Sequence, residues 1–351
     1  MSLLCNLRTF KSALEECAFL LTEENLLPRG IKNDLFEKDK DLENLRNFLS
    51  WIIKEINEGV DSYEKLVKEI QKLKTPDSYR LQIGFLGKIL DAVQVVKPGT
   101  LRNRRVAVTI KGALERTGHE FVWEEVKREE RKKYTKELVR ATATFHLLEI
   151  VFSKAKTTEK KNPIATLRRS MGNRLPEEYF AELLAGWFIE DVIKSELERK
   201  GFVTELKGVD RERKVLFVKP NNMGDYDLEV EIEKERFLLE MQRVGKLTKT
   251  RKGLFKTVLK SHKYEGGNSN EKILILWIGE NPTQIAKVHS KWFNHLIFIP
   301  NVKHQRGVTF SNNTICFEEK FLISGSLCWN QFKNVNGRDL VGIFKDLAVS
   351  T

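Results

Sequence analysis

No run of the sequence approaches the roughly 20 consecutive apolar residues that a membrane-spanning helix needs, so no membrane partner is expected. The first residues, Met1 to Cys5, carry neither a basic leader nor a long apolar segment, and charges follow at Arg8 and Lys11. That pattern predicts an intracellular, cytoplasmic protein. Cysteine is scarce: Cys5, Cys17, Cys316 and Cys328 stand too far apart for a CxxC pair, and the six histidines are scattered. A zinc site therefore has no support, and the cysteines read as buried free thiols. There is no Walker motif, so no nucleotide cofactor is expected, and no repeat at solenoid periods.

What is present is charge. Lys and Arg number 61 against 49 Asp and Glu, a net charge of +12, which favours a polyanionic partner. The 351 residues, 41% of them hydrophobic, suffice for a large core and favour two domains. The first half reads as helical. Leu45, Leu49, Ile52 and Ile56 recur at helical spacing, as do Leu66, Ile70 and Leu73, and Lys136 to Phe152 fits a helix. Pro98 and Gly99 break this pattern, and Val106 to Ile110 reads as a short strand. Residues 1–152 are thus expected to form a mainly α-helical N-terminal domain. Residues 153–175 carry Lys154, Lys156, Lys160, Lys161, Arg168 and Arg169 and read as a basic linker, either solvated or tracking phosphates.

From 176 to 351 the pattern is mixed α/β. A long helix is expected from Pro176 to Lys200, stopped by Gly201. Strands are expected at Lys214–Lys219, Leu228–Ile232, Arg236–Met241, Ile273–Ile278 and His295–Pro300, with later ones at Thr314–Phe317 and Phe321–Ser324. Helices are expected at Leu254–Tyr264, Gln284–Phe293 and Leu340–Leu347. The six tryptophans, Trp51, Trp123, Trp187, Trp277, Trp292 and Trp329, read as core or interface rather than stacking platforms.

The chemistry concentrates between Gly224 and Arg243. Leu228, Val230 and Ile232 alternate with Glu229, Glu231 and Glu233, a strand with one apolar face. A turn at Glu233–Glu235 leads into a second strand, where Phe237, Leu238 and Leu239 are apolar on both faces, as in the centre of a sheet. Glu240 then places a carboxylate at the end of a buried strand, a costly position that calls for a cation or a strong donor. Asp227, at the entry of the first strand, would share a divalent ion with it. Gln242 points to the same side as Glu240.

These residues resemble the PD-(D/E)XK nuclease superfamily, which includes most type II restriction endonucleases. There an Asp opens one strand, and the next carries an acid, any residue, then Lys. The resemblance covers about Pro176 to Pro300. It implies a restriction-endonuclease-like mixed central sheet flanked by helices, with Asp227, Glu240 and Gln242 as site residues. Tyr226 stands where the family has Pro and Gln242 where it has Lys. A Gln positions the attacking water by hydrogen bonds but brings no charge; Lys246 is a candidate to supply it. Family members often add a Glu from the preceding helix, and Glu190, on the stripe of Trp187, Ile193 and Leu197, takes that place; Glu182 is the second candidate. The resemblance implies one or two Mg2+ ions held by Asp227, Glu240 and Glu190.

From Met241 to Tyr264 there is no acid, while Arg243, Lys246, Lys249, Arg251, Lys252 and Lys256 supply positive charge beside the acidic site. They are the candidate DNA-backbone contacts; a solvated helix face is the plainer reading. Arg104 and Arg105 form a second basic patch. The expected function is that of a type II restriction endonuclease, a homodimer cutting double-stranded DNA with Mg2+, with the N-terminal domain recognising DNA, dimerising or both. A structure-specific repair or junction-resolving nuclease and a non-catalytic DNA-binding protein on a degenerate nuclease fold are the alternatives.

Overall fold

The computed structural model describes residues 7–22, 40–72, 109–154, 167–169, 171–207, 226–245, 247–260, 272–279, 294–300, 308–311 and 314–349. The helices before the first strand are α1 (Leu7–Thr22), α2 (Lys40–Asn57), α3 (Tyr63–Lys72), α4 (Ile110–Glu115), α5 (Glu120–Glu125), α6 (Arg128–Lys154) and α7 (Pro176–Arg199). Two compact units share the chain: residues 1–109, 132–181 and 215–219 form one, and residues 110–131, 182–214 and 220–351 the other. The division falls inside α6 and α7. Of the expected basic linker, residues 155–166 and 170 lie outside the described residues, while 153 and 154 close α6.

The described part of the first unit is helical. Phe10, Ala13, Leu14 and Cys17 of α1 and Leu138, Ala141 and Phe145 of α6 are buried at helical spacing. Polar bonds run between the same two helices. Arg140 pairs with Glu16 across them and with Glu137 of its own helix, and Thr144 donates to Glu16 at 2.8 Å. Burial pushes the Cys17 thiol well above its ordinary range, which keeps it inert. Nearby, His146 lies 3.5 Å from Glu149 and 3.3 Å from Glu177. Burial opposes its charge, but these two carboxylates outweigh it and raise the imidazole to about 9.

α7 begins where the sequence says it should. Pro176 suits a first helical turn, and the Glu178 carboxylate accepts the Leu175 N–H at 3.0 Å. It ends at Gly201, whose φ of +92° suits glycine, and the Phe202 N–H closes back onto the Leu197 carbonyl at 3.1 Å.

The second unit is mixed α/β. Its strands are β1 (Val203–Leu206), β2 (Leu228–Ile232), β3 (Glu235–Val244), β4 (Thr248–Lys249), β5 (Phe255–Lys260), β6 (Lys272–Ile278), β7 (His295–Pro300), β8 (Val308–Ser311), β9 (Thr314–Phe317) and β10 (Ser326–Cys328). The C-terminal helices are α8 (Glu319–Ser324), α9 (Trp329–Asn334) and α10 (Gly337–Val349). A six-stranded sheet has the order β1-β2-β3-β6-β7-β10, and a four-stranded sheet the order β4-β5-β9-β8. All neighbours are antiparallel except β3 and β6, which run parallel. The β2–β3 hairpin turns on Glu233 and Lys234, both at positive φ (48° and 73°), which matches the twist of the flanking strands.

Alternation sorts the large sheet into two faces. Leu239, Met241 and Arg243 share a face with their neighbours Ile273, Ile275 and Trp277, and aromatic rings cover it. Trp277 stacks on Trp329 at 4.8 Å, and Phe344 of α10 meets Phe237 and Phe298 at 5.0 and 5.2 Å. On the opposite face, Val244, Leu274, Leu276, Ile278, Ile297 and Ile299 form one core with Phe255 and Phe317 of the small sheet and Phe321 and Leu322 of α8. β3 is therefore buried on both sides, as its Phe237, Leu238 and Leu239 run predicted.

Three local expectations fail. The stretch Leu254–Tyr264 was expected to be helical, but Phe255–Lys260 is strand β5, because pairing with β4 and β9 overrides the charge pattern. Phe321–Ser324 is helix, not strand. Phe321 and Leu322 turn inward together while Ile323 is 66% exposed, and the Ser324 hydroxyl donates to the Lys320 carbonyl at 2.9 Å. Ile110 opens α4 rather than ending a strand, and Val106 to Val108 lie outside the described residues, as do Lys214–Lys219 and Gln284–Phe293. Among the described residues, no helix is long and apolar enough to cross a membrane.

Two glycines give a contrasting pair. A Cβ at Gly279 would overlap the backbone of Thr117 and Gly118, whereas one at Gly186, inside α7, meets nothing within 4 Å. Gly279→Ala is expected to destabilise by about 1–3 kcal/mol, and Gly186→Ala to stabilise by about 0.5–1 kcal/mol, both read from urea midpoints. His146 supplies a pH signature. Its folded value lies above the ordinary 6.5, so its stabilisation is complete below pH 6.5 and is lost as pH rises towards about 9. The first unit's unfolding midpoint should fall over that window, and His146→Gln should flatten the fall.

Candidate active site

Asp227 sits one residue before β2, and two bonds fix it against β3. Its N–H donates to the Leu239 carbonyl at 2.9 Å, and its carboxylate accepts the Met241 N–H at 2.9 Å. The β2–β3 register pairs Leu228 with Leu239, so continuing it one step places Asp227 opposite Glu240. Glu240 is 3% exposed. The Gln242 amide, two residues on and on the same side, donates to its Oε1 at 3.2 Å. Asp227, Glu240 and Gln242 thus lie at neighbouring positions of the hairpin, on one face of the sheet. Glu240 and Gln242 share a face with Leu274 and Leu276, the face on which the small sheet packs.

Glu190 is half-buried on α7 beside buried Trp187, Ile193 and Leu197, in the stripe expected of it. Glu182 is committed to an ion pair with Arg116. Among the described residues, no group of three or more His, Cys, Asp or Glu side chains stands close enough to hold a metal ion. The carboxylates that the hairpin could offer to an ion are those of Asp227 and Glu240. This composition suits magnesium, which takes one or two carboxylates and keeps several waters; it does not suit zinc, which prefers nitrogen and sulfur.

The basic residues divide. Lys249, Arg251 and Lys252 are exposed around the β4–β5 hairpin, and Lys256 lies half-buried on β5. The hairpin tip closes on itself: Thr250 N–H to the Leu254 carbonyl at 2.8 Å, Leu254 N–H to the Thr250 hydroxyl at 3.2 Å. Lys249 lies over the Phe255 ring at 4.6 Å and 3.7 Å from Glu319. Arg104, Arg105 and Lys246 lie outside the described residues. Arg243 is not on an open surface. Its alternation places it on the aromatic face beside Trp277, where burial, then the nearby Arg116 charge, lowers its pKa to about 10.

Sequence reasoning missed the residues that meet Arg243 there. His119 caps the Trp277 side of the sheet: its Nε2 donates to the Trp277 carbonyl at 2.8 Å, and its Nδ1 lies 3.0 Å from the Thr117 hydroxyl. Burial, then the Arg243 charge, depresses the imidazole to about 3, so it is neutral. The signal available was Thr117-Gly118, a turn that Gly118 enters at φ +74°.

The carboxylate of Asp227 has a structural role separable from its charge. Asp227→Ala strands the Met241 N–H and is expected to cost about 1–3 kcal/mol, whereas Asp227→Asn keeps an acceptor there and should cost less. Urea unfolding of the two variants measures this; equal midpoints would show the bond to be immaterial.

No family model, curated protein or solved structure matches this chain.

Proposed function

We propose that the chain is a magnesium-dependent endonuclease that hydrolyses phosphodiester bonds of double-stranded DNA, acting as a homodimer in the manner of type II restriction enzymes. The observation that carries this reading is the hairpin site. Asp227 is locked onto β3 by the Met241 N–H, opposite a buried Glu240 that Gln242 contacts. The surrounding sheet supports it. A long helix, α7, is followed by the antiparallel run β1-β2-β3 and then a strand parallel to β3, a mixed core of the kind this reading calls for.

In this reading the two carboxylates hold the ion, and Gln242 orients the attacking water through its amide. A bound magnesium ion would acidify that water and stabilise charge on the scissile phosphate. Lys249, Arg251 and Lys252, projecting from a closed hairpin, would neutralise backbone phosphates around a pocket that is itself negative. One observation favours a second reading, DNA binding without cleavage. The Gln242 amide spends a donor on Glu240 and brings no positive charge where a Lys would.

Plasmid digestion with Mg2+ separates the readings. Discrete fragments are expected. Cutting confined to branched substrates would indicate a junction-resolving nuclease, and binding without cutting in any divalent ion the non-catalytic protein. Asp227→Asn and Glu240→Ala should abolish cleavage while leaving affinity for duplex DNA within a few fold; full activity in either variant would remove the site assignment.

A further inference from the structure

On the face of β3 turned away from Glu240, the second unit holds a largely buried cation. Arg243 is the last charged residue of β3, and its register partner on β6 is Trp277. Both side chains lie on the aromatic face, and both carry a buried donor without an acceptor: Nη1 of Arg243 and Nε1 of Trp277. These groups can only donate. Buried donors that lack partners cost free energy, and a buried guanidinium costs more. No carboxylate is hydrogen-bonded or ion-paired to Arg243 among the described residues. The charges that reach it are cationic or neutral: Arg116, engaged by Glu182, and the neutral His119.

The backbone around these donors is closely fitted. β3 and β6 run parallel, so Arg243 and Trp277 stand near the same, C-terminal end of the pair. The strands are followed by Gly245 and Gly279. A Cβ on Gly245 would press on Thr117, and one on Gly279 would overlap Thr117 and Gly118. The turn Thr117–His119 therefore closes over the strand ends with no side chain between.

We propose that Arg243 and Trp277, with Arg116 at the rim, form a binding site for a phosphoryl oxyanion on the sheet face opposite Glu240. An oxyanion supplies what the two donors lack: acceptor oxygens and a negative charge beside a desolvated guanidinium. The site shares no residue with the Asp227, Glu240 and Gln242 cluster, so it stands whether or not that cluster cuts DNA. The phosphoryl group belongs either to a nucleic-acid backbone or to a small phosphate.

Thermal unfolding of the full-length chain in phosphate and in sodium chloride of equal ionic strength tests the site. Phosphate should give a saturable rise in Tm of about 2–4 °C over chloride. Arg243→Met should lose that response and be at least as stable as the parent in chloride, since the substitution removes an uncompensated charge. Arg243→Lys should keep part of the response. Equal melting of the parent in phosphate and chloride overturns the proposal, as does an Arg243→Met variant that still responds. If Arg243→Met does not fold, the parent titration and Arg243→Lys decide.

A second arm identifies the source. Fluorescence anisotropy with a short duplex, in a Glu240→Ala background and EDTA, reads DNA affinity without cleavage. A roughly 10-fold or greater loss on adding Arg243→Met assigns the oxyanion to the DNA backbone. Unchanged affinity alongside a lost phosphate response assigns it to a small phosphate.

Discussion

Everything in the second unit hangs on the position of β3. It is paired antiparallel to β2 on one edge and parallel to β6 on the other, and it is buried on both faces. Neither pairing partner is local to it in the same way. β2 arrives through a two-residue turn, whereas β6 begins 28 residues beyond the end of β3. A parallel neighbour demands a crossover, and helices are its usual form. Here the described part of the crossover is β4 and β5, which leave the large sheet and build a second one over its Glu240 face.

That substitution explains why the fold was legible in some places and not others. Leu228–Ile232, Phe237–Leu239 and Ile273–Ile278 announce themselves because burial on one or two faces leaves a period that sequence alone preserves. The same holds for α7, whose ends carry Pro176 and Gly201. The β4–β5 segment defeats such reading. Its lysines recur at spacings that also suit a helix, and what makes it a strand is pairing with β9, more than fifty residues away. In the Phe321–Ser324 segment, four residues are too few to separate a period of two from one of 3.6. The candidate site was legible in Asp227, Glu240 and Gln242 because the hairpin register is local. Arg243 was legible only as a charge. Its surroundings come from Thr117, His119 and Trp277, which no sequence spacing links to it.

Electrostatically the unit is built from short-range separations rather than from net charge. Glu240 is buried with an amide as neighbour, while the lysines and arginine of the β4–β5 hairpin stay in solvent. Three residues from Glu240 along the strand, and on the other face, a guanidinium adds its charge to the burial that keeps His119 neutral. In the first unit the arrangement is reversed: His146 is held cationic between two carboxylates. Burial opposes both charged forms, and the sign of the neighbours decides which histidine keeps its proton.

The alternation along β3 has a consequence for how the chain finds its fold. Slipping β3 by one residue against β2 and β6 would exchange its two faces. Arg243 and Met241 would then move to the side of Asp227, and Glu240 and Gln242 would turn into the rings of Phe298, Trp277 and Phe344. Such a slip would carry the Glu240 carboxylate into a layer of aromatic rings and would break the alignment of the Asp227 carboxylate with the Met241 N–H. A strand that is apolar on both sides, such as Phe237 to Leu239, specifies its register weakly, so the two-residue turn and the Asp227–Met241 bond carry that task. The register of β3 thus decides which of its polar groups share a face with Asp227 and which face the rings.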